Sequence, residues 1–193
     1  CLRHLTTQGT PRSIMTVEDP IERRIPDVTQ TEVNVAAGLT FARALRSLLR
    51  QDPEVLLVGE IRDRETAAIA LEAGLTGHLV ASTIHAGTAT QVFARLIEMG
   101  IEPFVLTTAV RGVLAQRLVR RCCTAADCNA HCQSCHGTGY TGRTLLAEWL
   151  EISGELRKVI LARGDGEALA AAAAGAGPLS LTDHAAGMVS AGS

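Results

Sequence analysis

The run Val55-Leu56-Leu57-Val58 constrains this chain more than any other feature. Asp52-Pro53 precedes it closely and Gly59-Glu60 follows it. A half-buried strand alternates apolar and polar residues, whereas a short unbroken apolar run suits a strand covered on both faces. Such strands belong to parallel sheets, whose crossover connections lay helices on both faces. The rest of the chain must then supply strands and helices in alternation.

It does so on both sides. Residues 13–17 (SIMTV) read as a second buried strand that stops at Pro20, and a short strand is predicted near 29–33 in an otherwise loop-like stretch. Thr40 can N-cap a helix running to about Gln51, with Phe41, Leu45, Leu48 and Leu49 on one side and Arg43, Arg46 and Arg50 on another. A helix over 63–73 with a stop at Gly74, a strand over 79–83, and helices over 88–99 and 103–119 follow, the last with Pro103 at its first position. A further helix is predicted near 153–163, and 168–177 (ALAAAAAGAG) reads as a frayed helix or linker. Residues 1–12 read as turn-rich, and the chain after 185 as a mobile tail. The alternation predicts an α/β fold, a parallel sheet flanked by helices.

With 193 residues, 47% of them apolar, the chain can bury a real core. A net charge of −2 gives no basic field of the kind that draws nucleic acid. The chain begins at Cys1 without a basic-then-apolar leader, and no apolar run approaches the ~18–20 residues of a membrane span. This reads as a cytoplasmic chain beginning mid-protein.

Five of the six cysteines fall between 122 and 135, a clustering that favours metal over a disulfide framework. The spacing Cys123-x4-Cys128-x3-Cys132-x2-Cys135 offers four thiolates, a set suited to tetrahedral Zn²⁺. Cys122, His131 and His136 are further donors in reach. The other chemical feature is Glu60, an acid just past a buried strand, at the sheet edge where open α/β folds bind ligands.

The full string LRQDPEVLLVGEIRD (49–63) resembles the signature of the type II secretion and type IV pilus-assembly ATPases: LRQDPD, four apolar residues, then GEIRD. Glu54 stands where Asp is usual. The resemblance implies a RecA-like P-loop nucleoside triphosphatase core, with Glu60 as the Walker B acid that activates water. Thr16–Glu22 (TVEDPIE) resembles the family's aspartate box, which puts Glu18, Asp19 and Glu22 at the nucleotide and Mg²⁺ edge. Thr76–His85 (TGHLVASTIH) resembles its histidine box, which gives His78 and His85 a γ-phosphate-sensing role, although Ala86-Gly87 replace the usual Thr-Asn. Leu114–Arg120 matches the family as a helix ahead of the metal segment. In this context Arg46, Arg50 and Arg62 become candidate donors to a transferring phosphoryl group, in a ring partly to a neighbouring subunit.

Cys132-x2-Cys135 followed by GYTGR resembles the CxxC…GYxGR segment of the assembly and secretion branch. The first arm is spaced by four residues instead of the usual CPxC, and the loop between arms is only three residues. CQSCHGTG also matches the zinc repeat of J-domain chaperones, here in a single copy.

The organisation implied is a partial ATPase domain over 1–121, a zinc-binding element over 122–143 and a helical region over 144–193. ATP, Mg²⁺ and Zn²⁺ are the implied cofactors. The implied partners are further copies in a hexameric ring and the platform and docking proteins of the inner membrane. Yet no G-x-x-x-x-G-K-[ST] occurs in these 193 residues, and the only lysine is Lys158. The backbone nest and lysine that bind β- and γ-phosphates are missing from them. Two readings compete with the motor: a non-catalytic zinc-binding piece of such a protein, and a zinc-binding interaction module unrelated to ATP.

Overall fold

A computed structural model describes residues 2–7, 13–125, 128–174 and 180–190. Cys1 and the end of the 168–177 stretch lie outside them. The elements in order are α1 (Leu2–Thr6), β1 (Ile14–Glu18), β2 (Thr29–Glu32), α2 (Phe41–Leu48), β3 (Val55–Val58), α3 (Arg64–Leu75), β4 (Leu79–Ser82), α4 (Gln91–Glu98), α5 (Pro103–Ala109), β5 (Gly112–Cys122), β6 (Tyr140–Glu151), α6 (Gly154–Leu161), α7 (Gly166–Ala173) and α8 (Leu181–Ser190).

The first four strands form one sheet in the order β2-β1-β3-β4, every pair parallel. Val55, Leu56 and Val58 of β3 are buried, as a strand with covered faces requires. Helix α2 begins where predicted, because Thr40 Oγ1 accepts the Arg43 N–H. Its buried stripe is Ala42, Ala44, Leu45 and Leu48, which pack with Val17, Leu56, Val58, Ile69 and Ala70. Phe41 is only half-buried, and a 3₁₀ turn over Leu49–Gln51 completes the element. Asp63 caps α3 by accepting the Thr66 N–H, and α3 runs through Gly74 to Leu75 instead of stopping there.

The larger departure is at 103–119. Helix α5 ends at Ala109, and Gly112–Cys122 is a strand, so Leu114–Arg120 is extended rather than helical. Its partner is β6, antiparallel from Gly112↔Glu151 to Cys122↔Tyr140. One ribbon face carries Val113, Ala115 and Leu150 toward the core that holds Phe93, Leu96, Leu106, Leu156, Ile160 and Leu169, and Leu146 on the same face is buried as well. Burying Leu146 and Leu150 is worth roughly 1.5–3 kcal/mol each, against a helix preference of a few tenths of a kcal/mol per residue. Tertiary burial therefore wins. Leu114 and Leu118 blur the alternation because they lie on the opposite, exposed face.

The C-terminal region shares that core through Leu150, Leu156, Ile160 and Leu169, and it opens on a strand instead of a helix. The expected tail is helical to Ser190, with the His184 ring against the Ala147 backbone on β6. Leu2–Thr6 is a helical turn where only turns were expected.

Candidate carboxylate edge and cysteine centre

Parallel strands aim all their C-terminal ends at one edge, and that edge gathers the acids. Gly59 is the residue that allows it. Its N–H donates to Val17 O at 2.7 Å, and a Cβ there would stand 3.1 Å from that oxygen and 3.3 Å from the Glu18 Cα. The end of β3 thus lies against the end of β1, which brings Glu60 alongside Glu18 and Asp19. From the other side, Thr83 Oγ1 donates to Gly59 O at 2.7 Å, Ser82 Oγ donates to Val58 O at 2.8 Å, and Ile61 N–H donates to Thr83 O at 2.9 Å.

Around Glu60 the charges alternate. Arg62 Nη2 donates to Glu60 Oε1, and Arg62 Nη1 lies 3.8 Å from Asp19 Oδ2. His85 Nε2 stands 3.8 Å from Glu60 Oε2, its ring almost fully exposed. The Arg62 hydrogen bond holds the Glu60 carboxyl below the usual carboxylate range against partial burial, with the Arg62 and His85 charges adding to it. Glu18 is fixed separately: buried Thr16 donates to its Oε1 at 2.5 Å and Gln30 Nε2 at 2.9 Å. Glu22 is exposed on the loop after β1.

Three other candidates do not join this group. His78 precedes β4, at the sheet's opposite edge, one four-residue strand or roughly 13 Å away. Its Nδ1 lies 3.0 Å from Ala73 O and 3.2 Å from Thr76 Oγ1, so it caps the end of α3. Arg46 pairs with Glu65 at 2.7 Å. Arg50 lines a shallow groove with Glu72, Ala73 and Thr76, beside the end of α2 that leads into the start of β3. Sequence spacing placed His78 and Arg50 near the motifs, but strand direction sends them to the other edge, whereas Arg46 is held against the first turn of α3. Conversely, Ser82 and Thr83 hold Glu60's backbone, and the only signal for them was two hydroxyl residues at the end of a strand.

The second centre sits at the tip of the ribbon. The sulfurs of Cys123, Cys128, Cys132 and Cys135 all lie within 4.8 Å of one another. Cys123 and Cys132 are 3.9 Å apart and Cys128 and Cys135 3.7 Å. Four thiolates around Zn²⁺ at the usual ~2.3 Å bond length would be about 3.8 Å apart, so the donor set fits. No two of these sulfurs are at disulfide distance. Cys123 N–H donates to Gly139 O at 2.8 Å, which closes the loop where β5 ends and β6 begins. Gly137 has φ +76°, and a Cβ there would stand 2.5 Å from Ala130 O, so the turn that presents Cys135 needs glycine.

The thiols polarise one another. Hydrogen bonding to Cys135 and Cys123 pushes Cys128 up to about 12. Burial acts to raise Cys135, but N–H donation from Gly139 and Gly137 and the neighbouring thiols bring it down to about 7.

The chain matches the family described as "Type II/IV secretion system protein" over residues 1–193, and it belongs to that family. It is 46% identical over 181 residues to the type IV pilus assembly ATPase PilB of Thermus thermophilus, covering 80% of this chain and 20% of the relative. It is 46% identical over 179 residues to type II secretion system protein E of Pseudomonas aeruginosa, covering 80% of this chain and 36% of that one. The chain thus spans between a fifth and just over a third of these relatives' length. In fold it resembles the ATPase DotB of Legionella pneumophila, with a TM-score of 0.72, 28% identity, and coverage of 99% of this chain and 51% of that one. The pilus retraction motor PilT with bound ADP aligns at a TM-score of 0.64 and 31% identity, covering 83% and 44% of the two chains. The parallel sheet flanked by helices is the partial ATPase core that the sequence predicted.

Proposed function

We propose that this chain is the acid-bearing part of the catalytic domain of an ATP-hydrolysing motor subunit for type II secretion or type IV pilus assembly. The observation that carries the reading is the meeting of Glu18, Asp19, Glu60 and His85 at one edge of a parallel sheet. There Glu60 would accept the proton of the attacking water, a role open to a carboxylate that stays ionised near neutral pH. Glu18, Asp19 and Glu22 would face the Mg²⁺-nucleotide, and His85 the terminal phosphate. Arg46, paired with Glu65 in the first turn of α3, and Arg50, at the opposite edge, would serve a neighbouring subunit's nucleotide. Bound Mg²⁺ supplies charge neutralisation at the phosphates.

Zn²⁺ held by Cys123, Cys128, Cys132 and Cys135 would be structural, since four thiolates leave no open position for chemistry. Among the described residues no helix is long and apolar enough to cross a membrane. We place the subunit in the cytoplasm, in a hexameric ring docked to inner-membrane platform proteins. The absence of a phosphate-binding loop from these 193 residues supports a second reading, a non-catalytic zinc-binding piece that associates with longer subunits.

The deciding experiment uses the longer subunit that includes this chain. Glu60→Gln should lower ATP turnover about 10²–10⁴-fold while leaving nucleotide binding in place. Unchanged turnover would remove Glu60 from the chemistry. Strong ATP binding by the 193-residue chain alone would overturn the dependence on a loop supplied from outside it.

A further inference from the structure

Glu60 and Arg62 are turned to the same side by the way their segment is pinned. Gly59 is bonded to Val17 on β1, Ile61 to Thr83 beyond β4, and Asp63 is fixed as the N-cap of α3. Ile61 between them packs against both hydrophobic clusters. Its commitment to the interior leaves its two neighbours facing out over the acidic edge.

There the Arg62 guanidinium meets two carboxylates from different strands. Nη2 donates to Glu60 Oε1, and Nη1 faces Asp19 Oδ2 at 3.8 Å. The Arg62 side chain is 59% exposed, and pairs in such a position contribute little to stability. Orientation is a different matter. One Glu60 oxygen is occupied by Arg62, while Oε2 looks toward His85 and the open edge. A planar guanidinium suits this bridging because its two Nη groups diverge at a fixed angle, which a lysine ammonium cannot reproduce.

We propose that Arg62 is a positioning residue: it bridges Asp19 and Glu60 and leaves Glu60 Oε2 as the oxygen turned toward His85. This deepens the reading of Glu60 as the water-activating acid, on which it rests, and it gives Arg62 carboxylates as partners instead of phosphate. The side chain acts through Glu60 and transfers nothing itself.

The test is nitrogen-15 NMR of the arginine side chains in the 193-residue chain, without nucleotide. Bridged at both ends, Arg62 should show separate, slowly exchanging Nη resonances. Glu60→Gln should merge them, Asp19→Asn should merge them in part, and Glu60→Asp should restore separation to some degree. Added pyrophosphate should leave the Arg62 signals in place. Merged signals in the unsubstituted chain, signals indifferent to Glu60→Gln, or a pyrophosphate-induced shift at Arg62 would each overturn the proposal. If Asp19→Asn fails to fold, Glu60→Gln decides alone. Because no hydrolysis is measured, failure here leaves the ATPase reading standing, and loss of that reading leaves the bridge measurable.

Discussion

Thr83 Oγ1 donates to the carbonyl oxygen of Gly59 at 2.7 Å, and the Thr83 carbonyl accepts the Ile61 N–H at 2.9 Å. One residue beyond β4 therefore grips the backbone on both sides of Glu60. A strand that is only four residues long gains a clamp in this way, and the acid at its end acquires a fixed origin.

Thr83→Val keeps the shape and the backbone bond but removes the hydroxyl. The expected cost is about 0.5–1.5 kcal/mol, toward the low end because Thr83 is exposed. Urea unfolding should show a lower midpoint with an unchanged slope. In the longer subunit, turnover should fall more than nucleotide affinity, since the change loosens Glu60 alone.

The pairing of Glu60 with Arg62 has a defined pH signature. The folded state lowers the Glu60 carboxyl below its unfolded value. Its contribution is therefore present above the unfolded value and is lost as pH falls through the folded one. Arg62→Gln should reduce stability only slightly at neutral pH, because the pair is exposed, and make no difference in acid below the folded value. Urea titrations of both proteins at the two pH extremes check this, and a difference that persists in acid would refute the sign.

Chelation tests the cysteine centre. The chain as purified should carry one Zn²⁺ bound by four thiolates, and removal should expose those four thiols to alkylation. Hydrogen exchange should then rise over 120–143 at the ribbon tip and stay unchanged over β1 to β4. Since binding displaces thiol protons, affinity should weaken as pH falls. Elemental analysis that finds no metal, with every thiol freely alkylated, would eliminate the site.

Gly112 lies diagonally across the ribbon from the chain's single tryptophan, whose ring reaches over it. A Cβ at Gly112 would lie 2.4 Å from Trp149 Cζ2, and the indole is tethered by Nε1–H donation to Glu151 Oε1 at 2.9 Å. Gly112→Ala should destabilise by about 1–3 kcal/mol and shift the tryptophan emission. Gly154→Ala, which meets nothing within 4 Å at the start of α6, should instead stabilise by about 0.4–1 kcal/mol.

Much of the sheet was legible because its signals are local. Val55–Val58 and the Thr40 cap of α2 depend on near neighbours. The ribbon was not legible. Residues 112–119 favour helix by composition, and only pairing with 144–151, some thirty residues later, fixes them as strand. His78 was misplaced for a related reason, because its motif lies close to Glu60 in sequence while β4 starts at the opposite edge from where β3 ends.

The sequence by itself determined the family, a buried strand ending in Glu60, and four cysteines spaced to hold a metal. Those features survive because each is written within a dozen or so residues, where backbone preference and burial pattern act directly. Tertiary structure alone decided which charges meet. Strand order and direction set Asp19 and His85 around the Glu60–Arg62 pair and sent Arg50 and His78 to the far edge. Burial of Leu146 and Leu150 outweighed helix propensity along β5. Side-chain partnerships between distant segments arise only when the sheet assembles, so no local pattern in the chain could contain them.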